Sequence, residues 1–279
     1  MRQSPLRPSP LLWSRLARLA LAAAFSLALA SPNIALAADY TDIWWTPTEA
    51  GWGMNVVQSE NFLFVTFFIY GVDHKPTWYS AELSLDSNGA YSGPLYSTAG
   101  TYYALPWNVG DVTSAQQVGA ASFRPSTSNA YQATMTYVVN GVGTIVKSVE
   151  RQTLTSITIG GLYTGGMSAS QTGCSNASSN GSYTGTYGLQ VTPTNAGAVT
   201  LSLTYPTYAC QITGALAQHG GQYTISGASY ACTQNGSTVF SASADLSEVK
   251  ATAQGIEGRW ISAVGGGCIE SAQFSAVLN

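Results

Sequence analysis

Charged side chains make up only 8% of this 279-residue chain, and two of its residues are histidine. So little charge, with no Lys/Arg cluster, leaves no electrostatic footprint for nucleic acid or for an anionic membrane surface. His74 and His219 sit among turn residues, Asp73-His74-Lys75 and Gln218-His219-Gly220, and read as solvated loop residues rather than bases or metal ligands. No G-x-S-x-G elbow is present to pair with either of them, so serine-hydrolase chemistry has no support. No glycine pattern follows a strand and opens a helix, which removes the phosphate-cradling and dinucleotide-binding classes. Asp86-Ser87-Asn88-Gly89 lacks the further ligands and distal Glu of a calcium loop and reads as a hairpin turn. Neither a cofactor nor a metal is expected. The first 173 residues contain no cysteine, so that half must fold without a covalent staple.

Long apolar runs are also missing. The most apolar stretch, 19–30, is about a dozen residues, where a spanning helix needs roughly 20. It follows Arg2, Arg7, Arg15 and Arg18 and precedes the helix breaker Ser31-Pro32-Asn33 and the small-x-small exit Ala35-Leu36-Ala37. Basic start, short apolar core and small-residue exit read as a secretory signal peptide cleaved after Ala37. Six basic residues then remain against thirteen acidic ones, a net charge of −7. The expected destination is secreted or periplasmic.

What is abundant is Gly, Ser, Thr, Ala and Tyr, a composition suited to pleated surfaces and tight turns. Short runs between turn signals recur at 51–58, 61–70, 77–85, 90–97, 117–124, 130–139 and 144–154. Ala133, Met135, Tyr137 and Val139 alternate with Gln132, Thr134 and Thr136, giving one buried and one wet face. The run Phe62 to Tyr70 is apolar nearly throughout and reads as a strand covered on both faces. Roughly seven more strands follow from Ser182, with Val199, Leu201, Leu203 and Tyr205 alternating cleanly and a short stretch at 246–253 open to helix. The expectation is an all-β protein of two antiparallel meander domains, each a small barrel or a sandwich. The domains are set at 38–160 and 182–279, with a Gly/Ser-rich linker at 161–181 between them.

Cys174, Cys210, Cys232 and Cys268 lie too far apart for a zinc knuckle, and an even count in an exported chain favours two disulfides. Three pairings are possible. A hairpin turning at His219-Gly220-Gly221 would place Cys210 beside Cys232, leaving Cys174 to pair with Cys268.

The densest feature is Trp44-Trp45-Thr46-Pro47-Thr48-Glu49-Ala50-Gly51-Trp52-Gly53. Gln58, Phe62 and Phe64 follow on a strand, then Tyr70, Pro76 and Trp78 in a P-x-W hairpin. Tyr137, Asn140 and Gly141 form a closing turn, and Lys147, Arg151 and Gln152 an ending. Over residues 40–154 this set resembles a family of secreted proteobacterial proteins of unknown function that carry a W-W-x-P-x-E-x-G-W-G segment. The resemblance implies a family but no activity, and it does not extend to the C-terminal half.

Two uses of the tryptophan cluster follow from its chemistry. Trp44, Trp45, Trp52 and Trp78, with Glu49 accepting hydroxyl hydrogen bonds, can form a stacking platform for a glycan or another flat, apolar ligand. Alternatively the rings plug one end of a barrel, and Glu49 anchors the turn. A glycosidase needs two carboxylates across the bond it cleaves, and Glu49 and Glu82 are the acids in aromatic surroundings. The reading with most support is an exported, non-enzymatic β protein with a ligand- or surface-binding module. A carbohydrate hydrolase using Glu49 and an outer-membrane β-barrel are the alternatives. Membrane contact and nucleic acid are not expected as partners.

Overall fold

The computed structural model describes residues 38–194 and 196–279, so the signal peptide expected at 1–37 lies outside the described residues. Residues 38–279 form one compact unit built from two closed barrels of eight antiparallel strands each.

The first barrel takes its strands in chain order: β1 Asp42–Trp45, β2 Gly53–Ser59, β3 Phe62–Tyr70, β4 Pro76–Leu85, β5 Tyr91–Ala99, β6 Thr113–Pro125, β7 Gln132–Val139 and β8 Gly143–Arg151. Each pairs with its neighbour in sequence, and β8 returns to pair with β1, Trp44 lying opposite Arg151. The second barrel repeats the plan with β9 Gly161–Thr172, β10 Gly181–Pro193, β11 Ala198–Thr204, β12 Ala209–His219, β13 Gln222–Gln234, β14 Ser237–Ala251, β15 Gly255–Ala263 and β16 Ile269–Leu278. It closes where β16 pairs with β9. Among the described residues the helical elements are two short 3-10 turns, Val109–Asp111 and Ala177–Ser179.

Alternation dictates the interiors. Residues at every second position of a strand share one face, and those of β3 that point inward, Leu63, Val65 and Phe67, are fully buried with Met54, Val56 and Met135. Val199, Leu201 and Leu203 of β11 line the second core with Ile212, Ile225 and Trp260. Both interiors are lined mainly by apolar side chains, with the Glu270 carboxylate an exception in the second, the inverse of a membrane barrel, whose lumen is polar and whose outer band is apolar.

The strands correct four expectations. Each barrel has eight strands rather than about seven, because β1 is too short to show a period and β9 lies in the segment read as a linker. The 161–181 segment is not a linker over most of its length: β9 spans Gly161–Thr172. Its glycines belong to tight strand contact, since a Cβ on Gly165 would lie 2.1 Å from the Ser275 carbonyl oxygen and one on Gly166 would lie 2.8 Å from that of Gly185. The stretch at 246–253 is strand up to Ala251 rather than helix. Finally, β3 is covered on one face only. Phe62, Phe64, Phe68 and Tyr70 point outward and are exposed, because a barrel has one interior and no helix lies over this outer face among the described residues.

The disulfides join Cys210 to Cys232 and Cys174 to Cys268. Cys210 and Cys232 are register partners on β12 and β13, while the second bridge ties the chain after β9 to the chain before β16. Both lie at the end of the second barrel remote from the β12–β13 turn.

That turn, Gly220-Gly221, docks on the first barrel. The Gly221 amide donates to Asp42 Oδ2 at 2.9 Å, and the Gly220 amide donates to Thr153 Oγ1 at 3.0 Å. Arg151 Nη1 donates to the same Asp42 oxygen at 3.1 Å. Nearby, the Glu248 amide donates to the Tyr131 hydroxyl at 2.7 Å, and Lys250 pairs with Asp39 at 3.4 Å. His219 is not a solvated loop residue: its ring stacks on Tyr131 with centroids 4.3 Å apart.

Two predictions follow from this contact. Gly220 has φ +61°, and a Cβ there would meet Asp42 Oδ2 at 2.2 Å, whereas Gly236 has φ +79° and open space. Gly236→Ala should therefore cost only the left-handed backbone penalty of about 1–2 kcal/mol. Gly220→Ala should cost that and about 1–3 kcal/mol more by displacing Asp42, the difference being read from urea unfolding. The second concerns pH. Burial, opposed by Glu150 and aided to a smaller extent by Arg151, holds the His219 pKa below its ordinary value of 6.5, so the folded state favours the neutral ring. Its stability contribution is complete above pH 6.5 and is lost as pH falls through the lowered folded value. Burial raises Glu248 above its ordinary 4.5, so its contribution has the opposite sense, present below 4.5 and lost as pH rises through the folded value. His219→Phe keeps a ring on Tyr131 without titrating and should remove the fall in melting temperature below pH 6.5; an unchanged pH slope refutes the assignment.

Candidate functional site

The tryptophans of the W-W-x-P-x-E-x-G-W-G segment do not form one platform. Trp44 points inward from β1 with no exposed surface. Its Nε1 donates to the Tyr40 carbonyl at 2.9 Å, its ring meets Phe123 edge-on at 5.1 Å, and the Arg151 guanidinium lies 5.0 Å from its centroid. It therefore serves the barrel core and is withdrawn from any surface site. Trp45, one residue on, is half-buried and by alternation faces the other side of the strand.

Glu49 and Trp52 belong to the turn between β1 and β2. The Glu49 carboxylate ion-pairs with Lys147 of β8, and Lys147 Nζ lies 5.8 Å from the Trp52 ring centroid. Trp52 is half-buried, stacks on Tyr137 at 6.5 Å, and donates from Nε1 to the Tyr137 hydroxyl at 3.1 Å. A cation that neutralises Glu49 and rests on Trp52 locks this turn to the closing strand. Glu82 is on the outward side of β4, opposite Phe64. In an eight-strand barrel β4 and β8 lie on opposite sides, so the fold does not bring Glu82 to the Glu49–Lys147 pair.

The fold brings Trp78 together with aromatics that the cluster reading did not include. It is 53% exposed on the outer face of β4, directly opposite Phe68 of β3 in register, while Tyr70 faces Pro76. These four residues, with Thr66, Thr77 and Gly51, line a shallow groove of about 380 Å³. Gly51 comes from the tryptophan-rich turn, and its φ of +92° and the 2.9 Å from its Cβ position to the Tyr70 ring leave no room for a side chain. The first segment and the P-x-W hairpin therefore meet here, at Gly51 rather than through Trp44 or Trp52. Three exposed rings with Thr66 on the same outward face of β3 offer flat apolar faces with a hydroxyl at the edge. The resource is suited to stacking. Among the described residues no group of three His, Cys, Asp or Glu side chains could hold a metal ion.

A second polar cluster escaped sequence reasoning altogether. Glu270 of β16 is 3% exposed inside the second barrel. Its Oε1 accepts from Trp260 Nε1 at 2.7 Å, and its Oε2 accepts from the Tyr183 hydroxyl. Burial and the neighbouring Glu270 carboxylate push the Tyr183 and Tyr230 hydroxyls well above the usual tyrosine range. Two donors satisfy the buried carboxylate, and all four groups are held at the disulfide end of the barrel. Nothing in their spacing along the chain signals this cluster, because it is assembled from four strands.

No family model and no curated protein matches the chain. Among solved structures, the chain is similar to isotype 1 transferrin binding protein B from serogroup B Neisseria meningitidis, at 11% identity and TM-score 0.30, over 82% of this chain and 52% of that one. It thus spans about half the length of that protein. It is also similar to a protein of unknown function from the DUF3598 family of Nostoc punctiforme PCC 73102, at 10% identity and TM-score 0.22, over 86% of this chain and 96% of that one. At these identities and TM-scores the functional reading rests on the groove's own geometry.

Proposed function

We propose that the protein is an exported, non-enzymatic binding protein whose first barrel holds a glycan ring, or a similarly flat apolar ligand, against Phe68, Tyr70 and Trp78. The observation that carries this reading is the groove itself. Large aromatic side chains normally bury their faces, yet three adjacent rings here stand exposed on the outer face of the barrel. A pyranose presents a C–H face to such rings and a hydroxyl to Thr66 beside them. Two disulfides fit an oxidising compartment, in keeping with the signal peptide read at residues 1–37. The hydrolase reading has less support, since Glu49 is ion-paired and stands apart from Glu82. The mainly apolar interiors speak against an outer-membrane barrel.

A glycan array probed with the chain from Ala38 tests the proposal, followed by titration of the best ligand. Trp78→Ala and Phe68→Ala are each expected to weaken binding about tenfold or more, the scale of losing an aromatic anchor. Trp44→Ala is unsuitable, because emptying a buried indole costs about 3–5 kcal/mol of stability. No glycan bound, or equal affinity in both groove variants, refutes the glycan assignment, and hydrolysis of a bound glycan that Glu49→Gln abolishes refutes the non-enzymatic one.

A further inference from the structure

The two ends of the first barrel are unlike. Antiparallel order places the turns at 60–61, 86–90 and 126–131 at the end that carries Arg151 and Tyr131, where the second barrel docks. The loops at 46–52, 71–75, 100–112 and 140–142 all lie at the opposite end. Three of these four loops point apolar side chains at solvent. Val72 is wholly exposed, Tyr103 is 90% exposed and Trp107 73%, and Leu105, Val109 and Val142 stand out nearly as far. Isolated exposed apolar residues are ordinary, but a concentration on one rim marks an interaction surface.

The longest loop is built inside out. Its polar groups bond to one another: the Asn108 amide donates to Thr101 Oγ1 at 2.9 Å, and Thr101 Oγ1 donates to the Asn108 carbonyl at 3.0 Å. The Gly110 amide donates to Asn108 Oδ1 at 3.0 Å, and the Leu105 amide to the Tyr102 carbonyl at 2.9 Å. Part of the loop backbone is thus satisfied internally while the apolar side chains face out, which suits a shallow contact with the hydrated headgroup region rather than burial in hydrocarbon. Lys75 pairs with Asp73 at 3.8 Å and Lys147 with Glu49, while the Asp111 carboxylate, which accepts from the Asn108 side-chain amide at 3.3 Å, leaves this end slightly negative. A rim without a basic cluster has nothing to attract anionic headgroups. Tyrosine and tryptophan beside aliphatic tips match the interfacial zone of a neutral bilayer, where amphipathic rings settle.

We propose that this rim is a membrane-contact surface, with Tyr103, Leu105 and Trp107 dipping into the headgroup region of a zwitterionic phospholipid bilayer. The contact is peripheral and leaves both barrels outside the hydrocarbon. It goes beyond the glycan reading, which uses the outer face of β3 and β4. It also narrows the expectation of no membrane contact, which was drawn from missing basic charge and bears only on anionic surfaces.

Co-sedimentation of the chain from Ala38 with phosphatidylcholine vesicles tests this. The protein is expected to partition onto the vesicles, and partitioning should persist in 1 M salt because no ion pair drives it. Tyr103→Ser with Trp107→Ser should lower the partition coefficient roughly tenfold or more, the order expected for withdrawing two large apolar side chains. Phe62→Ser, exposed on β3 at the opposite end of the barrel, should leave it unchanged. Absence of partitioning, binding confined to vesicles containing anionic lipid, equal binding of the loop variant, or an equal loss in Phe62→Ser overturns the proposal. Lipid-free self-association that the loop variant abolishes also overturns it, making the rim a contact between copies.

Discussion

Arg151 closes the first barrel and begins its contact with the second. It is the last residue of β8, opposite Trp44 of β1, so its position follows from barrel closure. Its side chain is 1% exposed and lies between the Trp44 and Tyr131 rings. Its guanidinium donates to Asp42 Oδ2 and to the carbonyls of Asp39 and Thr41. A buried ion pair adds little net stability compared with a well-packed apolar substitute, but stranding one partner costs about 3–5 kcal/mol. Such a pair therefore works as a registry device. Because Asp42 also accepts from Gly221, the pair that holds β1 against β8 also seats the β12–β13 turn.

The same closure explains what is left outside. Eight strands enclose one row of side chains, and the interior of the first barrel is filled by Trp44, Phe67, Phe123 and their neighbours. Every outward residue then depends on another element for cover. Along most strands the outer positions mix Ser, Thr and Gln with single exposed valines or isoleucines such as Val57, Val146 and Ile261. On β3 they are Phe62, Phe64, Phe68 and Tyr70, and the groove beside Trp78 results. The second barrel carries its unusual chemistry inside instead, with Glu270 satisfied by an indole and a phenol at the end held by two disulfides.

Much of this architecture is legible in the chain. Alternation at 133–139 and 199–205 predicts which residues fill the interiors, and the glycine pair at 220–221 predicts the turn that brings Cys210 to Cys232. The misreadings share a cause. β1 is four residues long, too short for a period to emerge. β9 looked like a linker because glycine serves both flexible chain and close strand contact, and only the Ser275 and Gly185 carbonyls tell the two apart. His219 looked solvated because its neighbours are turn residues, yet the turn tip is where the barrels touch.

The sequence by itself determined an all-β protein in two domains, a set of half-buried strands, and cysteines suited to an oxidising compartment, since composition and a two-residue period act locally. Tertiary structure alone decided which tryptophan is core and which is surface. Trp44 and Trp78 are equally aromatic and both lie on strands, but one points into a closed barrel and the other out of it. That direction depends on the register of the strand relative to the interior, which closure of β8 on β1 decides rather than any local run of residues.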